Sequence, residues 1–390
     1  MDSFTIKEPD LVKISASLTA DELARRFGQY TETLTLSRWD ADTPLGAGGV
    51  EATPEQRRAC GLRFTQFFDL EAEALETNAE DRFGQWAARL FPLIRRRLTS
   101  FRFYPATPAG YVDTRHNADD IYQDAAAVAS LIQGRRRVFS LVQADNLMGL
   151  VSSVLAPSLL RLEVVDGRGL GPDELAEAVQ FGDLIIATPT LWRYLAETLP
   201  DLPDNVMGLT FGERFSPELA RQLRSRGVGA MRELYGSTET GVVGWRDSPP
   251  DPFSLFRHWS RGEGSAIIRS SANGRPYKML PMDDLSWTGP SQFDLGARRD
   301  GAIQIGGVNV FPTAIAATIA EHPMVSQCSV RVSQRPGALD RLITDIVLAD
   351  DIDPDEKMAW SIDEWCRRRL RPTERPRIYN FADQLPEDNH

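Results

Sequence analysis

Between residues 136 and 237 short apolar runs alternate with stretches of helical period, and this limits the possible folds more than any other feature. "RRVFSLV", "LRLEVVD", "GDLIIAT", "NVMGLTFG" and "GAMRELYG" are each about the length of a strand. Segments between them, such as "SPELARQLRSRG", read as helices. Strands alternating with helices predict a parallel or mixed sheet with both faces covered, hence an α/β fold. In open sheets of this kind, ligands bind beyond the carboxyl ends of the strands. "ELYGSTETG", residues 233–241, follows one of these strands, so its hydroxyls, carboxylate and glycine lie where a ligand is expected.

The flanking regions have other patterns. Residues 54–100 carry apolar residues at helical spacing, as in "DRFGQWAARLFPLIRRRL". "TSFRFYPATPAGYVDTRH", with its two prolines, reads as a loop, and "ADDIYQDAAAVASLIQG" as a helix ending at Gly134. "DLGARRDGAIQIGGVNVFP" reads as a hinge followed by a hairpin, and residues 312–390 as a compact tail with the element order of a small α+β domain. A chain of 390 residues is long enough for two or three such domains.

Charge and rare residues exclude several functions. A net charge of -11 argues against a broad nucleic-acid surface. Cys60, Cys328 and Cys366 are odd in number and far apart, and the histidines at 116, 258, 322 and 390 are scattered, so no disulfide framework or metal cluster is indicated. No apolar run is long enough to span a bilayer, and "MDSFTIKEPDLVKIS" lacks the pattern of a secretory leader. The expectation is a cytoplasmic protein with no membrane or nucleic-acid partner.

"YGSTETG" followed by "GARRDGAIQIGGVNVFP" resembles the adenylate-forming superfamily, which comprises acyl- and aryl-CoA ligases, peptide-synthetase adenylation domains and luciferases. "TFGERFSPELARQLRSRG" and "FGDLIIATPTLWRYL" are similar to the segments that precede these motifs, and the likeness covers roughly residues 80–390. It implies a large nucleotide- and acid-binding α/β domain over residues 81–298, a helical extension over 1–80, and a small α+β lid over 299–390. It further implies a two-step reaction. A small carboxylic acid, aryl or acyl, attacks ATP to give an acyl-adenylate; coenzyme A, or a carrier protein's phosphopantetheine, then takes the acyl group.

The resemblance assigns roles by position. Gly212 and Glu213 line the adenine, while Tyr235, Gly236 and Ser237 separate adenine from the acid. Thr238 meets the phosphate of ATP or AMP, and Glu239 holds Mg²⁺, for which a carboxylate is a suitable hard ligand. Asp284 and Arg298 reach the ribose, Asp300 is the hinge, and Gly306 and Gly307 belong to the hairpin lining the thiol tunnel.

Three segments depart from the family pattern. Where the family has a phosphate loop of small hydroxylated residues ending in lysine, residues 103–111 read "FYPATPAGY". Pro105 and Pro108 have no N–H to donate, only Thr107 aligns as a hydroxyl, and Tyr111 holds the lysine position. Arg102 and Arg115 are the nearby cations that could replace that lysine. At "VQADNLMGL", Asp145 and Asn146 replace an aromatic or histidine cluster beside the acid; a carboxylate there repels a carboxylate substrate unless protonated or paired. "FADQLPEDNH" resembles the stretch before the family's last motif, which carries a catalytic lysine, and the sequence stops at His390.

These departures leave alternatives open. One is an acid–CoA ligase with altered triphosphate handling. The others are a degenerate member that binds an adenylate-like ligand or a partner protein, and an acyl transferase that does not adenylate. Locally, "YGSTETG" also reads as a strand-to-helix turn capped by threonine, the arginines of "CRRRLRPTERPR" as a solvated helix C-terminus, and Trp192 as core.

Overall fold

The computed structural model describes residues 6–107, 110–305, 308–333, 341–349, 356–371 and 373–386. The chain forms two compact units: residues 1–105 with 113–297, and residues 106–112 with 298–390.

The first unit is built on a nine-stranded sheet. Its strands run in the order Asp283–Trp287, Gln292–Arg298, Phe253–Leu255, Gly241–Arg246, Val228–Ser237, Val206–Phe211, Leu184–Ile186, Arg137–Ser140, Glu163–Asp166. The last five are mutually parallel, and from Val228–Ser237 towards Gln292–Arg298 the pairing is antiparallel. All residues of Leu184–Ile186 and Val206–Phe211 are buried, as strands covered on both faces must be. Helices Ala118–Ile132 and Pro217–Ser225 start at side-chain caps. Asn117 accepts from the Asp119 amide at 2.8 Å, and Ser216 accepts from the Leu219 amide at 3.1 Å. Trp192 is fully buried and its indole N–H donates to the Leu209 carbonyl at 3.3 Å, so it belongs to the core.

Two stretches differ from the sequence reading. Within residues 54–100, α-helix occupies only Pro54–Phe67 and Phe83–Arg97, with a single 3₁₀ turn at Ala72–Ala74 between them. The first helix stops where Asp69 turns to φ 53°, a left-handed conformation that cannot continue it. The stretch read as a loop forms two strand pairs, Ser100–Phe103 with Thr114–Asn117 and Ala106–Thr107 with Gly110–Tyr111. Phe101 and Phe103 alternate inward, with ring centroids 5.8 and 5.3 Å from that of Phe67. Their burial drives the first pairing despite the prolines beyond it. The Glu8–Phe27 helix lies in the stretch expected to be a helical extension, but periodicity does not mark its bounds, because its buried face includes Ser15, Ser17 and Thr19 as well as leucines.

The second unit has its own core of Val310, Ile315, Ile319, Leu342, Ile346, Ile362 and Cys366. Strands Val325–Ser333 and Arg341–Leu348 pair antiparallel, and Ile378–Phe381 joins the latter in parallel. Helices Pro312–Ala320 and Glu356–Arg369 complete the unit, the latter with Arg367, Arg368 and Arg369 in its last turn, where cations oppose the helix dipole. Among the described residues no helix is long and apolar enough to cross a membrane.

Candidate active site: the Ser237–Gly241 turn and its supports

"YGSTETG" joins two antiparallel strands, with Ser237 paired to Gly241 and Gly236 to Val242. It is therefore a hairpin turn, not the strand-to-helix turn that its threonine suggested. Inside it the Ser237 amide donates to Thr240 Oγ1 at 3.1 Å, and the Thr240 amide to Ser237 Oγ at 3.3 Å. Gly236 cannot carry a side chain, since a Cβ there would lie 2.3 Å from the Gly241 carbonyl oxygen. Gly241 has φ +82°, and a Cβ on it would meet Asp124 Oδ2 at 2.5 Å. Thr238 and Glu239, at the tip, are half-buried, and their side chains have no hydrogen bond or ion pair with any described residue.

Two side chains hold the turn from outside. The backbone N–H of Val242 donates to Asp124 Oδ2 at 2.9 Å. The other oxygen of Asp124 accepts from His258 Nε2 at 2.9 Å and lies 2.8 Å from Arg269 Nη2. Asp124 is fully buried and Arg269 nearly so, so the pair is a low-dielectric anchor whose charges offset each other. On the opposite side, His116 Nε2 lies 2.6 Å from the Thr238 carbonyl oxygen.

Tyr235 is buried, with its ring against Phe253 and Phe293 at centroid distances of 5.7 and 5.5 Å. Its hydroxyl donates to Asp283 Oδ2 at 3.0 Å. Asp284, the residue assigned to the ribose, is exposed, with Ser265 Oγ 3.5 Å from it. Asp283 shares the inward face of its strand with buried Leu285, a placement that strand alternation encodes in "DDL". Gly212 ends its strand at φ +95°, with open space where a Cβ would be. The neighbouring Glu213 carboxylate accepts from Thr190 Oγ1 at 2.6 Å and pairs with Arg193 at 3.3 Å. Glu233, which opens the motif, is buried against Arg246 at 2.6 Å, and burial raises its carboxyl to about 7.

The phosphate-loop region is internally compensated. Arg102 Nε donates to Asp113 at 3.2 Å, and this contact raises the Arg102 pKa further. Arg115 pairs with Asp69. Thr107 Oγ1 donates to the Gly110 carbonyl at 2.7 Å. In the second unit Arg298 forms two bonds to Asp300, at 2.9 and 2.7 Å. Burial opposes ionisation of Asp300, but Arg298 and the Ala302 amide outweigh it and keep the carboxyl below its ordinary value. Gly306 and Gly307 lie outside the described residues.

Asp145 is raised to about 7, first by burial and then by the negative charge of Asp21, against the pull of Arg63. The folded protein therefore holds a proton there that the unfolded chain releases above about pH 4, so this group's contribution to stability falls as pH rises from about 4 to about 7. Asp145→Asn cannot ionise. Its stability relative to wild type is expected to increase across that window by an amount on the order of 1 kcal/mol, allowing for solvent at a half-buried group. Urea unfolding of both proteins at pH 4.5 and 7.5 checks this, and parallel pH profiles would refute it.

No protein-family model matches the chain. A 4-coumarate–CoA ligase of Halorhodospira halophila is 29% identical over 386 residues, 97% of this chain and 97% of that protein. One of Cereibacter sphaeroides is 28% identical over 337 residues, covering 83% of this chain and 78% of the relative. Among solved structures, an o-succinylbenzoate CoA synthetase of Bacillus subtilis superposes with a TM-score of 0.61 at 16% identity, over 74% of this chain and 66% of that one. An amide bond synthetase of Marinactinospora thermotolerans does so with a TM-score of 0.58 at 15% identity, over 96% and 91%. The hairpin turn at the carboxyl end of the parallel strands, the small α+β unit after Arg298, and these likenesses agree: the chain has the fold of the adenylate-forming ligases and is similar in sequence, over nearly its whole length, to proteins named 4-coumarate–CoA ligase.

Proposed function

We propose that the chain activates a small carboxylic acid, aryl or acyl, as an acyl-adenylate and passes the acyl group to a thiol. The observation that carries this reading is the turn itself. Its backbone is fastened on both sides, by His116 and Asp124, while Thr238 and Glu239 at its tip are left without side-chain partners among the described residues. The relatives named 4-coumarate–CoA ligase support an acid as substrate. A malonyl-CoA ligase of similar fold, with a TM-score of 0.56, was solved with methylmalonyl-CoA and AMP bound, which supports ATP or AMP and CoA as ligands.

In the first step a carboxylate oxygen attacks the α-phosphorus of ATP, and pyrophosphate leaves with the electrons of the broken P–O bond. In the second a thiolate attacks the acyl carbon and AMP leaves. Thr238 Oγ1 would donate to an α-phosphate oxygen, and Tyr235, Gly236 and Ser237 would divide adenine from acid. The pairing of Tyr235 with Asp283 adds Asp283 to Asp284 as a carboxylate at the nucleoside end. No group of three or more acidic, histidine or cysteine side chains among the described residues could hold a metal. Glu239 fits a site of the magnesium kind, in which one carboxylate is joined by phosphate oxygens and water. Bound there, the cation would offset charge on the phosphates. A protonated Asp145 would not repel the acid. Residues 299–390 take the part of the lid, hinged at Asp300, and a carrier's phosphopantetheine is the alternative thiol. ATP use and the free thiols Cys60, Cys328 and Cys366 fit a reducing cytoplasm.

A second reading is favoured by the compensated cations. With Arg102 and Arg115 held by Asp113 and Asp69, acyl transfer from a preformed adenylate asks less of the loop than adenylation does. Incubation with Mg-ATP, CoA and a panel of aryl and acyl acids separates the two. AMP and thioester are expected in equal amounts with at least one acid. No AMP with any acid, alongside conversion of a synthetic acyl-adenylate to thioester, would establish the second reading instead.

A further inference from the structure

We infer that His116 is a positioning residue: its imidazole Nε2–H holds the Thr238–Glu239 peptide in the geometry the reaction needs. The inference rests on the proposed function in that it takes Thr238 and Glu239 to face the nucleotide.

A carbonyl oxygen only accepts, so at 2.6 Å from the Thr238 oxygen Nε2 must carry the proton. In the uncharged ring this fixes the tautomer, with Nδ1 as the lone pair. His116 is 8% exposed, and burial lowers its pKa more strongly than the Thr238 bond and the nearby Asp124 and Asp120 raise it, with Arg269 adding to the lowering. Burial thus favours the uncharged ring. Its plane is fixed by Phe103, edge to face at a centroid distance of 6.1 Å, and by strand pairing of His116 with Phe101.

The position of the bond in the turn gives it consequence. Ser237 and Thr240 close the turn from within, and Asp124 fastens its far end at Val242, but none of these contacts binds the peptide between Thr238 and Glu239. His116 supplies that contact. Without it the peptide plane is free to rotate, and with it would swing the Thr238 hydroxyl and the Glu239 carboxylate. The donated proton also polarises the peptide, making the Glu239 N–H a better donor.

His116→Leu removes the donor, while His116→Gln places an amide N–H close to the position of Nε2. Acid-dependent pyrophosphate release is expected to fall about 10- to 100-fold in kcat in His116→Leu, with KM for the acid changing less than about threefold, since misplacement of reacting groups reduces turnover more than binding. His116→Gln is expected within about threefold of wild type. Amide exchange of residues 238–240, followed by mass spectrometry at a temperature where all three proteins are folded, is expected to speed up at least about tenfold in His116→Leu and to recover in His116→Gln. Wild-type turnover and exchange in His116→Leu would overturn the inference. So would a His116→Gln protein no better than His116→Leu at equal melting temperature, because the donor would then be irrelevant. The exchange measurement does not need turnover. An inactive wild type with His116-dependent protection would sink the ligase reading and uphold the positioning contact.

Discussion

Glu239→Gln is expected to lower acid-dependent pyrophosphate release about 10²–10³-fold, the usual consequence of removing one preorganised group that stabilises transition-state charge. Glu239 is half-buried at the tip of the turn and makes no side-chain hydrogen bond or ion pair with a described residue, and glutamine matches its size, so the substitution removes charge with little change in packing. The unfolding free energy should therefore stay within about 0.5 kcal/mol of wild type. The amide keeps the shape of the carboxylate but ligates magnesium poorly, so the deficit should shrink as Mg²⁺ is raised if metal binding is the role lost. Stopped-time pyrophosphate assays over a magnesium series, beside a melting curve, measure both quantities. Turnover equal to wild type at every magnesium concentration would remove Glu239 from the reaction.

AMP or an acyl-adenylate analogue is expected to bind at least as tightly as Mg-ATP. The β- and γ-phosphates need several converging donors and positive charge. Pro105 offers no N–H, and Thr107 already donates to Gly110. Arg102 and Arg115, the cations placed to substitute for a loop lysine, are matched by Asp113 and Asp69. A guanidinium already paired with a carboxylate must break that pair to serve a phosphate. Each charge-assisted hydrogen bond lost is worth roughly 1.5–3 kcal/mol. Two or three such losses weaken triphosphate binding by about two to six orders of magnitude at ~1.4 kcal/mol per decade. The proposed nucleoside end carries no comparable deficit, since Gly212 leaves open space and the Tyr235 hydroxyl is held by Asp283. Calorimetric titration with each ligand is the direct comparison. Mg-ATP binding tighter than AMP by tenfold or more would show that the loop is intact in function.

The sheet was legible because its parallel strands are buried on both faces and so appear as unbroken apolar runs, as in "DLIIAT" and "NVMGLTF". The bounds of the Glu8–Phe27 helix were not, since the serines and threonine it buries dilute the periodic signal. "YGSTETG" marked the turn and its tip, but not what supports it. His116 and Thr238 are 122 positions apart, and Asp124 and Val242 are 118 apart. A lone histidine and an aspartate in a helix carry no mark of partners so distant in sequence. The different burial of Asp283 and Asp284 is also written in the sequence. Alternation along the strand puts Asp283 on the face of buried Leu285, whereas alignment to a family motif selects the exposed neighbour.

The shared carboxylate of Asp124 has a consequence for how the sequence can diverge. It serves the Val242 amide, His258 and Arg269 at once, and the backbone of Gly241 passes so close that a methyl group there would touch it. A change at Asp124 strands a buried guanidinium, and a change at Arg269 strands a buried carboxylate. Contacting residues of this sort show interaction energies of about 0.5–3 kcal/mol in double-mutant cycles. Positions 124, 241, 258 and 269 should therefore be inherited as a set. A lineage that alters one of them is expected to alter another, even where the turn they carry keeps its own sequence.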